Sequence, residues 1–561
     1  MEILNLFKSN EKENLDPLLD NDMAPDKIDS ILKIKNEFDQ NLAELDFFSN
    51  YQNLEDNTVL SSINKTQTSL GKQTLIKYLH NYKFQPNKIK RIKNIVSFVK
   101  NNDINYDLSI INETLPDVLW FFKEVDENLK AIFDQLFFKS SLSFVDNVLN
   151  NSKFLLNISS IYSVYINPLT PILGPIITLI IPLIIFRVYK INIPIKLIFT
   201  VIKMYFRKIT NPKQLFSIIT YLGFYIYSTY HQFRHSYNIK KMINILHNKI
   251  ISLQKFLDKT TELYQDLKEF YTMPNISKIL YYIKNIPNEN KLFILPGNIL
   301  YFINKFRNSK NLTSLLKDIG EMDMIFSILN LVKTKKYTFA KFIDKNKPFI
   351  NLKNMAHPTL ENPVKNNVKV KNKNIIITGP NAAGKSTFIK GLTVNIILAQ
   401  SLGICCASNA KITNFDYIRT HLNTPDRINT QSLFEAEMYK CKEIIDEIKK
   451  NGKCLIVLDE LFSSTNYKEG FSGSAAIVKK IGTFNNVCTI ITTHYSKLPK
   501  YAKKYGYKNY KFPVQKTDNQ LKYTYKIKKG ISNDFVALDI LKLNNYDKDI
   551  IDDAVDIMKN I

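Results

Sequence analysis

Residues Gly379 to Thr387, GPNAAGKST, set two glycines around a short loop and follow them with a lysine, a serine and a threonine. Glycines let a loop close on a polyphosphate. A helix opening at the lysine then turns its unpaired amides and positive dipole end toward the anion. Gly379, Pro380, Asn381, Ala382, Ala383, Gly384, Lys385, Ser386 and Thr387 are therefore the expected nucleotide-binding loop. Within it Lys385 reaches the outer phosphates and Ser386 ligates magnesium. A second stretch, CLIVLDELFSST from Cys454 to Thr465, is an apolar run ending in two acids. Asp459 suits a metal held through water, and Glu460 suits orienting or deprotonating an attacking water. A third stretch, VCTIITTHY, ends in His494, which lies near a γ-phosphate if its strand neighbours the other two. Ser432 opens the helical stretch SLFEAEMYKCKEIIDEIKK and offers either a second phosphate clamp or a simple N-cap. Together these residues imply ATP with Mg2+ and hydrolysis at Glu460, His494 and Lys385.

The elements that must position them follow from the same stretches. NIIIT before the loop and CLIVL before the acids are continuous apolar runs, as in parallel strands buried on both faces. Helical patterning follows the loop, so this part is α/β, whereas most of the remaining chain has helical spacing. At 561 residues the chain is too long for one core. The 77 Lys and Arg against 51 Asp and Glu give a net charge of +26 and point to an anionic partner, nucleic acid or acidic lipid. Cys405, Cys406, Cys441, Cys454 and Cys488 have no CxxC spacing and read as reduced core thiols. The beginning, MEILNLFKSNEKENLD, is too charged for a secretory signal, so the ATP-binding part is expected in the cytosol or an equivalent compartment.

In chain order, residues 1–44 are a polar segment, 45–153 the first part of a helical core and 236–348 its lever and second part. Residues 349–530 form the ATP-binding domain and 531–561 a helical tail. Residues 154–235 differ from all of these. No acidic residue occurs between Asp146 and Asp258, and Phe154 to Phe186 carries no charge. The centre of that run, PLTPILGPIITLIIPLIIF, is apolar and long enough to be expected to cross a bilayer. A second uncharged run covers Gln214 to Phe233, with Tyr221, Tyr225, Tyr227 and Tyr230 as interfacial aromatics. Between them Lys196, Lys203 and Arg207 share one helical face, the pattern of a helix lying in a membrane surface. The expectation is membrane attachment through residues 160–235, either as two crossings or as a re-entrant hairpin; a hairpin buried in protein is the other reading. After Arg234 an apolar stripe from Ile239 through Leu246 and Leu253 to Leu257 predicts a long amphipathic lever.

Four of these stretches in this order resemble the MutS family of mismatch-repair ATPases. TGPNAAGKST is similar to the family's phosphate loop, SxFxxEM at Ser432 to Met438 to its signature helix, LDELFSSTN to its Walker B run and TTHY to its histidine loop. His357-Pro358 followed by VKNNV resembles its adenine-side segment. TQTSLGKQTLIKYL resembles the start of its core, GEMDMIFSI its last helix before the ATPase, and YKIKKGISNDFVALDIL its closing tail. The resemblance implies an ABC-type P-loop ATPase domain joined to an all-α core with levers. It also implies a homodimer in which Ser432 of one subunit completes the other's nucleotide site, and DNA as partner. There are departures. Ala382 and Ala383 stand for the usual Met-Gly or Gly-Gly, and Thr430-Gln431 for the glycine before the serine. Core-like sequence begins near residue 45, leaving no room before it for a mismatch-reading domain, and Phe122-Lys123-Glu124 falls within a helical stretch. The hydrophobic insertion occupies the place of the DNA clamp.

Overall fold

The computed structural model describes residues 39–48, 57–104, 106–123, 127–190, 196, 200, 203–204, 212–276, 279, 281, 283, 296–307, 309–371, 374–422, 433–517, 520–532, 536–544 and 546–560. Two compact units result, one of residues 29–106 and 317–561, the other of 1–28 and 107–316. The N-terminal polar segment up to residue 38, Arg207, Glu124 and Ser432 lie outside the described residues.

The larger unit opens with α1 (Gln40–Glu44), α2 (Ser69–His80) and α3 (Pro86–Asn101). In the other unit follow α4 (Ser109–Trp120), α5 (Lys153–Ile161), α6 (Thr170–Val188), α7 (Pro212–Asp266) and α8 (Pro296–Phe306). The chain continues with α9 (Lys310–Lys333), β1 (Lys341–Phe342), β2 (Phe349–Met355), β3 (Asn366–Lys371), β4 (Ile375–Thr378) and α10 (Lys385–Leu402). Then come β5 (Asn409–Ile412), β6 (Tyr417–His421), α11 (Leu433–Lys450), β7 (Cys454–Leu458), α12 (Tyr467–Gly482) and β8 (Val487–Thr492). β9 (Lys508–Lys511), β10 (Lys528–Lys529), α13 (Ala537–Leu543) and α14 (Lys548–Asn560) close it.

A six-stranded sheet in the order β10-β9-β4-β8-β7-β6 carries the site; all its pairings are parallel except β9 with β10. β4, β7 and β8 are buried at every position, which is why they read as unbroken apolar runs. One face packs on α11 and α12 through Cys441, Ile444, Ile448, Val478 and Ile481. A four-stranded sheet, β1-β5-β2-β3, lies beside it in sequence.

α10 is buried along almost its whole length, and its polar residues are paired accordingly. The Asn395 amide donates to Ala356 O and Gly391 O and accepts from the Cys406 N–H. Gln400 donates to Tyr82 O and Phe415 O, which ties α10 to the loop after α2. α2 is in turn fixed to α9. Asp323, fully buried, accepts from the Gln67 and Thr68 amides and the Thr68 hydroxyl at 2.7–3.1 Å. Burial pushes the Asp323 carboxyl above its usual range, and these three donors oppose that rise. A Cβ on Gly71 would lie 2.1 Å from Asp323 Oδ2, so this glycine is required by close approach.

In the other unit α7 is a single helix of 55 residues, about 82 Å at 1.5 Å per residue. The stripe from Ile239 to Leu257 is buried as its spacing predicts. The second apolar run was expected as a separate hairpin arm, yet it is the first part of the same helix. Between Gln214 and Asp266 there is no proline and one glycine, Gly223, so nothing interrupts the hydrogen-bond ladder. α6 and α7 meet through Tyr225 Oη donating to Pro171 O (2.6 Å) and Thr170 Oγ1 with Gln232 Oε1 (3.2 Å), and Ser236 Oγ donates to Val164 O.

The expectation of membrane-crossing helices is not supported. Among the described residues no helix is long and apolar enough to cross a membrane. α6, at 19 residues, is about 28 Å long and carries Pro171, Pro175, Pro182 and Arg187. The reading of this stretch as buried in protein also fails, because Ile176, Ile180 and Ile184 of α6 are 46–55% exposed. Phe216 and Phe224 of α7 are 70–74% exposed. The surface helix expected from Lys196, Lys203 and Arg207 falls mostly outside the described residues.

Candidate functional site

β8 lies between β4 and β7, so the carboxyl ends of three adjacent parallel strands converge. The phosphate loop follows β4, Asp459 and Glu460 follow β7, and His494 follows β8. Adjacency is what the sequence left conditional, and it places His494 against Glu460, with Nε2 to Oε1 2.5 Å.

The loop turns through Ala382 (φ +61°) and Gly384 (φ +94°) before α10 begins at Lys385. An alanine in the left-handed region costs about 1 kcal/mol that glycine avoids. Lys385 is 4% exposed, and its Nζ donates to Gly379 O (3.0 Å) and Pro380 O (3.2 Å) and sits 3.4 Å from Glu460 Oε1. The hydrogen bond from His494, then the charges of His494 and Lys385, hold the Glu460 carboxyl below its usual range against the opposing effect of burial. Glu460 is therefore anionic at neutral pH.

Glu460 itself has φ +50°, a left-handed backbone for a residue with a Cβ. Its N–H donates to Thr492 O (3.2 Å) and Thr492 Oγ1 (3.0 Å), which holds the conformation in place. The Thr492 hydroxyl also donates to the Asp459 carboxylate, and the Asp459 N–H donates to His421 O (2.9 Å). Asp459 is thus held from both neighbouring strands. Thr492 is a residue that the sequence reading missed; its hydroxyl at the end of an apolar strand, two positions before His494, was the available signal.

A cavity of about 560 Å³ lies over the loop, lined among others by Asn381, Lys385, Ser386, Thr387, His357 and Tyr525. Burial first, and then the Lys390 charge, lower the His357 ring to about 4, so it is neutral at pH 7. Its Nδ1 lies 2.9 Å from Thr359 Oγ1. Tyr525, also missed, reaches the loop from the far end of the domain, its ring 3.1 Å from where a Gly384 Cβ would stand. Asn366 fixes it by donating to Tyr525 O and accepting from the Ile527 N–H. Nothing local in YTYKIKKG marks this approach. Glu460 and His494 line a second cavity of about 250 Å³ with Ser463, Thr465 and Tyr467.

The site suits a magnesium nucleotide by its donor set. Magnesium takes oxygen ligands and usually one or two protein groups beside phosphates. Among the described residues no cluster of three or more His, Cys, Asp or Glu could hold a metal alone, while Ser386 and Asp459 offer a hydroxyl and a carboxylate. All five cysteines are free and buried, and burial pushes the Cys406 thiol up to about 11 and Cys441 and Cys454 to about 12.

Residues 375–561 match the family model described as MutS domain V. The DNA mismatch repair protein MutS of Aquifex pyrophilus is 31% identical over 251 residues, 43% of this chain and 29% of that protein. That of Acetivibrio thermocellus is 26% identical over 344 residues, 57% of this chain and 39% of the relative. That of Fusobacterium nucleatum is 30% identical over 273 residues, 45% of this chain and 30% of the relative. The chain thus spans between 29% and 39% of the length of these relatives.

Proposed function

We propose, from the premise that this chain is a member of the MutS family, that it binds and hydrolyses ATP in a mismatch-repair-like or recombination-like process on DNA. The observation that carries this reading is the meeting of Lys385, Glu460 and His494 at three adjacent strand ends. Residues Gly379 to Thr387 cradle the phosphates, with Lys385 leaving the loop carbonyls for the outer phosphate oxygens. Ser386 and Asp459 would hold magnesium, which would supply positive charge against the phosphates. Glu460, kept anionic, orients or deprotonates the attacking water. His494 holds the Glu460 carboxylate and faces the terminal phosphate. His357 and Tyr525 flank the base, a neutral ring and a phenol suited to an uncharged purine. Ser432 of a second copy completes the site in a homodimer, as the family resemblance implies.

DNA as partner is supported by the net charge of +26 and by the similarity to DNA mismatch repair proteins. A second reading is supported by one further observation: a row of apolar side chains, among them Ile176, Ile180, Ile184, Phe216 and Phe224, is exposed along α6 and the first part of α7, and the charged residues flanking these runs are basic. An exposed apolar surface of this extent suits an apolar medium, and the basic flanks suit anionic lipid. In that reading the chain is a membrane-attached ATPase whose hairpin inserts without crossing. One preparation tests both. Binding to duplex DNA that weakens at least about tenfold from 50 to 200 mM salt supports the first. Co-sedimentation with anionic vesicles, lost when residues 160–235 are deleted, supports the second. No DNA binding at 50 mM salt rules out the first reading, and protein left in the supernatant with anionic vesicles rules out the second.

A further inference from the structure

Among the described residues β6 is the end strand of the six-stranded sheet, and no described strand pairs with its outer row of backbone groups. Side chains of α1 take that row instead. Asn41, 5% exposed, donates from Nδ2 to Ile418 O (2.9 Å) and Tyr82 Oη (3.0 Å). Its Oδ1 accepts from Thr420 N (3.0 Å) and Thr420 Oγ1 (3.2 Å). All four hydrogen-bonding capacities of the amide are used. One turn on, Glu44 Oε2 accepts from Leu422 N (3.0 Å), while its Oε1 accepts from Gln40 Nε2 (2.8 Å). Residues 418, 420 and 422 are alternate positions, so these contacts follow the outward edge of β6 as a neighbouring strand would.

The inward edge of the same strand holds the site. Thr420 pairs with Val457 and His421 with Leu458, and the next residue, Asp459, donates its N–H to His421 O. The His421 peptide is therefore framed by Asn41 and Glu44 on one side and by the backbone N–H of Asp459, the expected metal-holding residue, on the other. The same segment also reaches α10, where Asp46 Oδ2 lies 2.8 Å from Lys390 Nζ, five residues after Lys385.

We propose that Asn41 and Glu44 are positioning residues for magnesium: by fixing the outer edge of β6 they set where Asp459 stands. The proposal rests on the reading of Asp459 as the metal carboxylate, and the test separates the two. Using the full chain, turnover is measured against Mg2+ concentration at saturating ATP, and ATP affinity is measured without the metal. Direct outer-shell partners of metal ligands typically alter metal affinity by 10- to 100-fold; Asn41 and Glu44 act through the β6 backbone, so Asn41→Leu and Glu44→Ala are expected to raise the half-maximal Mg2+ concentration by up to about tenfold, the low end of that range. Metal-free ATP affinity is expected to stay at the parent value, and Glu44→Gln, which keeps an acceptor for Leu422 N, to restore the parent midpoint. If Asn41→Leu does not fold, Glu44→Ala with Glu44→Gln decides the matter. Variants that only lower the melting temperature and keep the parent Mg2+ midpoint overturn the proposal. Asp459→Asn with unchanged magnesium dependence overturns the underlying reading instead.

Discussion

Glu460→Ala binds ATP as the parent chain does and turns it over at least about 100-fold more slowly, the scale of a lost general base. Two features lead to this expectation. The larger cavity over the phosphate loop is lined by loop residues, His357 and Tyr525, so removing the Glu460 carboxylate leaves the nucleotide contacts in place. Turnover, by contrast, depends on a group that His494 and Lys385 hold anionic within 3.4 Å. Alanine also relaxes little of the backbone demand, because φ +50° is left-handed for either residue. Equilibrium nucleotide binding and single-turnover hydrolysis on one preparation separate the two effects. Equal turnover in variant and parent removes Glu460 from the chemistry.

Lys385→Ala has the complementary outcome, a loss of binding. Lys385 is buried at the base of the cavity over the loop and is the cation at the start of α10. Truncating one partner of a buried charged contact typically costs about 2–5 kcal/mol. At 1.4 kcal/mol per tenfold, ATP affinity falls by roughly 30-fold or more. The variant also strips one stabilising charge from Glu460, whose carboxyl then titrates higher than in the parent. Titration with a fluorescent ATP analogue measures the loss; an affinity within twofold of the parent contradicts the assignment of Lys385 to the phosphates.

Local runs carried the site well. β4, β7 and β8 were legible because a strand buried on both faces is an unbroken apolar run, and each such run ends at its functional residues. The family resemblance rested on the same runs, and the match of residues 375–561 to MutS domain V agrees with it. Contacts between residues far apart in sequence were not legible. Asn41 is 377 positions from Ile418, and Tyr525 approaches Gly384 from 141 positions further along the chain, so neither has a local signature. Thr492 was overlooked because a threonine at a strand end is ordinary until its two partners, the Asp459 carboxylate and the Glu460 amide, are in place. Apolar length alone misread the stretch around α6 and α7. The same hydropathy serves a bilayer crossing and an exposed apolar surface, and the uninterrupted ladder from Pro212 to Asp266 merged the second arm into the lever.

The proposed ATP site is made of this chain's own loop, acids and histidine. Release of ADP and phosphate by the full-length protein, measured with magnesium and with the metal chelated, tests it most directly. The predicted result is steady turnover with magnesium that stops on chelation and is lost in Glu460→Ala. ATP bound at the loop with no ADP formed at any magnesium concentration, by the chain alone or with DNA, contradicts it.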